Sequence, residues 1–222
     1  SPYQISEIRA TEKAYALPEK QLVAVGYGKL ESLIGEMKVR RADCGTLSPN
    51  QKNIIVAPSW GENAILERCG AELINTLLEA GYQTTVRPHP MVTKHKPQLI
   101  DSISQQFKSD KNFYLNIDTQ DTNPLYESHM MISDWSGVAM EYAFACERPV
   151  IFIDVPKKCN NPEAGKIPQI PIEVSIREKI GRVIAPDELH TLPKAIEDIY
   201  HNKDHFITQI RKTREESVFN LG

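Results

Sequence analysis

Ser133-Asp134-Trp135-Ser136-Gly137 is a polar turn between apolar stretches, and its residue types suit an anion. An apolar run reaches it at Ile132. Val138, Ala139, Tyr142, Ala143 and Ala145 then follow at helical spacing. The first turn of a helix carries unbonded backbone N–H groups and the positive end of the peptide dipoles. Ser136 is placed to cap that helix, and Gly137 lets a ligand come close to the backbone. A phosphate is a natural guest there. Asp134, Ser136 and Gly137 are therefore candidate phosphate-site residues. Glu141 comes one helical turn after Gly137, where it faces the same ligand and reaches a sugar hydroxyl. Asp and Ser before a helix are also ordinary caps, and most capped helices bind nothing. The turn gains meaning only from what else converges on it.

Arg87-Pro88-His89-Pro90 is the second candidate. Arginine is a permanent cation with a fork of donors for phosphate. His89 can donate to a phosphate or act as a general acid. The flanking prolines fix the backbone, which a solvated loop histidine would not need. Pro58-Ser59-Trp60-Gly61 adds a hydroxyl and an indole, the latter suited equally to stacking or to core packing. Lys157 and Lys158 stand where they can meet a diphosphate or simply be solvated. The remaining histidines have no metal spacing. No GxGxxG after a strand, no P-loop, no GxSxG and no glycosidase-like carboxylate pair occurs. No metal or cofactor is expected.

These residues need elements to hold them. Asn53–Ala57 and Pro149–Ile153 are continuous apolar runs of strand length, as in parallel strands covered on both faces. Gln21–Val25, Gln83–Val86, Asn112–Leu115 and Arg182–Ile184 read as further strands. Helices are expected over Lys29–Met37, Glu62–Ala80, Lys96–Phe107, Thr122–Glu127, from Pro186 onward, and over Asp204–Val218. Lys38–Lys52 and Pro156–Pro171 read as loops, and Ile172–Ile180 as a short helix or irregular. Strand–helix alternation implies an α/β, doubly wound, Rossmann-like parallel sheet. The turns at Gly26–Gly28, Pro58–Gly61, Arg87–Pro90 and Ser133–Gly137 then gather at its carboxyl edge, where such sheets bind ligands. Residues 1–20 read as an N-terminal segment packed on a domain spanning 21–222.

Of 222 residues, 41% are hydrophobic and 25% charged, as in soluble globular proteins. A net charge of −3 gives no global basic field, so nucleic acid is not an expected partner. No apolar run approaches a membrane span, and the four scattered cysteines favour a reducing, cytoplasmic setting. The chain begins Ser-Pro-Tyr and reads as a piece of a longer protein.

The order GYGKLESL, IIVAPSW, VRPHP and ISDWSGVAMEYAFACERPVIFID resembles the CDP-glycerol glycerophosphotransferase family of teichoic acid and capsule synthesis. The likeness runs from about Gln21 to Asp154. Gly137 and Trp135 stand where that family has a serine and a tyrosine. The resemblance implies the C-terminal, donor-binding half of a GT-B fold, acting with an N-terminal half that supplies the acceptor site and base. It implies transfer of glycerol phosphate from CDP-glycerol to a hydroxyl acceptor on a polymer or lipid-linked glycan, at or near the inner membrane face. Ser136, Gly137, Arg87 and His89 would meet the donor phosphates, with His89 nearest the reaction. Ser59 would seat the donor and Glu141 would hold the ribose. SGVAMEYA also resembles UDP-sugar glycosyltransferases and UDP-sugar 2-epimerases, which keeps a uridine donor open. A non-catalytic assembly module is the rival of another class.

Overall fold

The computed structural model describes residues 1–44, 52–157 and 163–220, without the side chains of 41–44 and 164. Helices α1 (Pro2–Ala14) and α2 (Gly28–Cys44) precede β1 (Asn53–Val56). Then come α3 (Ile65–Arg68), α4 (Gly70–Glu79), β2 (Gln83–Val86), α5 (Pro90–His95), α6 (Pro97–Phe107) and β3 (Phe113–Leu115). The second half runs α7 (Asn123–Glu127), β4 (Met130–Ser133), α8 (Val138–Cys146), β5 (Val150–Ile153), α9 (Ile172–Ser175) and α10 (Arg177–Ile180). It ends with β6 (Gly181–Ile184), α11 (Leu192–His201) and α12 (Lys203–Ser217).

The sheet order is β3-β2-β1-β4-β5-β6, with every neighbouring pair parallel. The chain builds outward from β1 to β3, then crosses back to place β4 on the other side of β1. That reversal opens a crevice between the carboxyl ends of β1 and β4. Val56 is in register with both Val86 and Ile132, so the turns after β1, β2 and β4 start level with one another.

Alternate strand residues feed two cores. Ile54, Val56, Ile132, Ile151 and Ile153 pack against helices on one face, with Leu73, Ile103 and Ile196. Ile55, Met131, Val150 and Phe152 pack on the other with Leu30, Tyr142, Ile180 and Ile210. This is why the strands read as unbroken apolar runs. Each such buried side chain contributes about 1.5–3 kcal/mol. Gly181 permits close pairing at the β5–β6 boundary, since a Cβ there would lie 1.7 Å from the Val150 carbonyl oxygen.

Three expectations are corrected. Gln21–Val25 is not a strand; among the described residues it pairs with none. Its surroundings are held by side chains: Lys20 N–H donates to Glu12 at 2.7 Å, and Asn220 Nδ2 donates to the Ala24 carbonyl at 3.2 Å. Val23 and Val25 are left 72% and 66% exposed. Next, α2 continues through Lys38–Cys44, expected as loop, because that stretch holds no Gly or Pro to stop it. The rest of that loop, 45–51, lies outside the described residues. Finally, Glu62–Ala80 is divided: Cys69, at φ −147° and ψ 18°, separates α3 from α4. The N-terminal residues form α1, closed at its start by a Ser1–Gln4 capping box.

Candidate functional site

The turns after β1, β2 and β4 enclose a cleft of about 410 Å³, whose lining includes Ser59, Trp60, His89, Ser136, Gly137 and Lys157. The turn after β4 is pinned from below. Ser133 Oγ donates to the Ala57 carbonyl at 2.7 Å, and Trp135 Nε1 donates to the Val155 carbonyl at 2.8 Å. Asp134 accepts from Ser59 N–H at 2.7 Å and Ile65 N–H at 3.1 Å.

Asp134 is thus corrected from its expected place among phosphate ligands. It is buried, and each carboxylate oxygen takes a backbone N–H of the 59–65 segment. It clamps the β1 turn to the β4 turn and so shapes the cleft. Ser136 is corrected as a cap: Gly137 occupies the N-cap of α8, and no side chain caps that helix. The Ser136 carbonyl accepts from Ala139 N–H at 3.1 Å instead. An uncapped helix start therefore borders the cleft, with Gly137 exposed upon it. A Cβ on Gly137 would meet no atom within 4 Å, so this rim is open.

His89 is the N-cap of α5, and its Nδ1 accepts from Met91 N–H at 3.1 Å. A ring nitrogen that accepts carries no proton, so in the neutral ring the proton sits on Nε2, a donor. The Trp60 ring leans against it, with centroids 6.2 Å apart. Lys157 adds a cation opposite, its ammonium 5.5 Å from the Trp135 ring. Arg177 also packs on that ring, its guanidinium carbon 4.1 Å from the ring centroid.

Arg87 departs from expectation. It does not line the cleft. Its guanidinium donates to the Thr119 carbonyl at 3.0 Å, to the Asp121 carbonyl and to Asn116 Oδ1 at 3.4 Å. Burial lowers its pKa, while Asp121 and Asp118 act the other way. Strand β3 lies beside β2, so the loop after it offers acceptors that take the arginine away from the crevice.

Glu141 faces a second, adjoining hollow of about 860 Å³ that shares Gly137 with the cleft. Its Oε1 accepts from the Tyr27 hydroxyl at 2.5 Å, and its Oε2 pairs with Lys29 at 2.7 Å. The Gly26–Gly28 turn thus reaches the site although no strand precedes it. Sequence reasoning marked that turn but assigned nothing to Tyr27 or Lys29. The aromatic between two glycines was the available signal. Glu173, on the rim of both hollows, had no signal at all. Lys158 lies outside the described residues.

Comparison with known proteins bears on this geometry. The family described as CDP-Glycerol:Poly(glycerophosphate) glycerophosphotransferase matches residues 2–157. No curated protein matches the chain. A variant of the wall teichoic acid polymerase TagF superposes with a TM-score of 0.61 at 19% identity, covering 100% of this chain and 54% of that one. A TagF variant soaked with CDPG gives 0.58 at 17%, covering 97% and 51%. UDP-GlcNAc 2-epimerase from Neisseria meningitidis, bound to UDP-GlcNAc, gives 0.53 at 14%, covering 97% and 55%. At these identities the likeness is one of fold. The chain spans about half the length of each of these structures.

Proposed function

This chain belongs to the CDP-glycerol:poly(glycerophosphate) glycerophosphotransferase family, and we propose that residues 21–222 form the donor-binding half of such a transferase, with CDP-glycerol as the donor. The observation that carries this reading is the meeting of three strand-end turns at the sheet's reversal point, around a cleft bordered by an uncapped helix start.

In the proposed reaction an acceptor hydroxyl attacks the phosphorus next to glycerol. A new P–O bond forms, the bridging bond to CMP breaks, and CMP leaves. The hydroxyl proton goes to a base in the part of the architecture outside this chain. Negative charge grows on the phosphate oxygens, and fixed dipoles and cations aimed there lower the barrier. The α8 amides, Ser136, Lys157 and the His89 Nε2–H donor are the groups assigned to it. A helix start contributes about 0.3–1 kcal/mol toward an anion, and a hydrogen bond to a charged group about 1.5–3. Ser59 seats the donor, and Glu141 accepts from the ribose. Arg87 holds the loop beside the cleft. The reading assigns no metal. The acceptor is a polymer or lipid-linked hydroxyl at the inner membrane face. Among the described residues no helix is long and apolar enough to cross a bilayer.

Calorimetric titration of this chain with CDP-glycerol, CMP, UDP and UDP-GlcNAc tests the proposal. Saturable binding that favours cytidine nucleotides is expected. Preference for uridine nucleotides would move the donor to a UDP-sugar. No binding by any of them at millimolar concentration would overturn the reading.

A further inference from the structure

The larger hollow is built from parts of the chain that the cleft does not use. Its walls come from α1, the extended segment 22–27, α8 and the chain following α12. Ile5, Ile8, Leu22, Val25 and Phe219 give it apolar sides. Gly137, Pro171 and Glu173 border both hollows, so one ligand can occupy the two together. The cleft has the groups for a diphosphate. The larger hollow has apolar walls and a carboxylate, which suits a base joined to a sugar.

That carboxylate is held from two sides. Tyr27 donates to Oε1 of Glu141 across 114 residues of sequence, and Lys29 pairs with Oε2. The Glu141 side chain is 12% exposed. A carboxylate offers about four lone-pair positions, so about two remain after these contacts. Each oxygen then keeps one acceptor site for a ligand, and two neighbouring acceptors match the two hydroxyls of a cis-diol. Burial first, then Glu141, pushes the Tyr27 hydroxyl up to about 12. Tyr27 therefore remains a donor at neutral pH. Lys29 is 63% exposed, so water and salt weaken its share.

We propose that the larger hollow receives the nucleoside of the donor, and that Tyr27 and Lys29 are positioning residues that aim Glu141 at both hydroxyls of a ribose. The proposal rests on the donor-site reading of the cleft and narrows the ligand to ribonucleoside diphosphates. The Gly26–Gly28 turn acquires a role in it: it delivers the phenol to the start of α8. The exposed segment leading to that turn becomes a wall of the nucleoside site.

Titration of wild type, Tyr27→Phe and Glu141→Gln with CDP and with 2′-deoxy-CDP tests it, with thermal melting to show that each variant is folded. Wild type is expected to bind CDP about tenfold tighter than 2′-deoxy-CDP, the worth of one good hydrogen bond. Tyr27→Phe is expected to weaken CDP about fivefold and 2′-deoxy-CDP, which keeps only the 3′-hydroxyl bond, by clearly less, because the ring stays and only the aim of Glu141 is lost. Glu141→Gln is expected to erase most of the discrimination. A merely structural Tyr27 would weaken both ligands alike, and that result overturns the proposal. So does unchanged or tighter CDP binding in Tyr27→Phe. Equal binding of the two ligands to wild type overturns it while leaving the cleft reading intact. Failure of wild type to bind either ligand overturns both.

Discussion

At the amino end of the sheet, Lys52 pairs with Glu197, and its ammonium lies 5.0 Å from the Tyr200 ring and 6.0 Å from the Tyr82 ring. The Tyr82 hydroxyl donates to the same carboxylate at 3.0 Å. His129 Nδ1 accepts from Asn53 N–H at 3.2 Å. At the carboxyl end stand the same kinds of residue: His89, Lys157, Trp60 and Trp135, around a cleft of about 410 Å³. Lysine, histidine and aromatic rings pack on one another at both ends, and at the carboxyl end they also line a cleft. Residue type alone does not mark a site. The helix starts and strand-end turns that open a cleft beside such groups do, and a doubly wound sheet supplies them at its carboxyl edge.

Changes at the two ends should therefore separate stability from binding, and Asp134, beneath the cleft, should couple them. Asp134→Ala strips a charged acceptor from two backbone N–H groups, one of them in a buried bond. It is expected to cost about 3 kcal/mol of stability in urea denaturation and to weaken nucleotide binding as well. Intact stability in that variant would break the account of the clamp. His89→Ala and Lys157→Ala are each expected to weaken CDP about tenfold by calorimetry. Lys157→Ala should leave stability unchanged within about 0.5 kcal/mol, whereas His89→Ala also loses the α5 N-cap bond and about 1 kcal/mol.

Glu197→Gln should do the opposite, costing at most about 1 kcal/mol at this exposure and leaving CDP affinity alone. Its acid limb adds a further check. The hydrogen bond from Lys52, with that from Tyr82, outweighs burial and holds the Glu197 carboxyl below its usual 4.5. A depressed folded value contributes stability that is present above the unfolded pKa and lost as pH falls through the folded one. Glu197→Gln should flatten that loss below about pH 4.5 in pH-dependent melting. Arg87→Gln is expected to weaken CDP by under about threefold by calorimetry, since its donors hold the 116–121 loop rather than the cleft. A loss of about thirtyfold would return Arg87 to the phosphates.

Much of this arrangement was legible in the chain. NIIVA and VIFI announce buried parallel strands because both faces of each are covered. The turns at Ser59, His89 and Ser136 follow strands, and parallel topology then forces them to one edge. What pattern does not carry is the direction of a side chain once a turn begins. Arg87 and His89 are two residues apart, yet Arg87 turns toward the loop after β3 because that strand pairs beside β2. Asp134 and Ser136 are likewise two apart, one buried beneath the cleft and one on its rim. The reading of Gln21–Val25 as a strand failed for a related reason. A short apolar run says that a strand could form, but here no neighbouring strand pairs with it, and Val23 and Val25 stay exposed. Tyr27 reaches Glu141 only through that irregular path.

Gly137 offers the most direct test that the cleft at the carboxyl ends of β1, β2 and β4 holds a nucleotide's phosphates. Its backbone, at φ −60° and ψ −25°, accepts any side chain, and the space beyond its Cα is open. Gly137→Leu should therefore melt like wild type while filling the entrance to both hollows. Titrated with CDP, wild type should bind at one site and Gly137→Leu should lose about 100-fold or more in affinity. Equal CDP binding by both proteins, with both folded, would contradict the account.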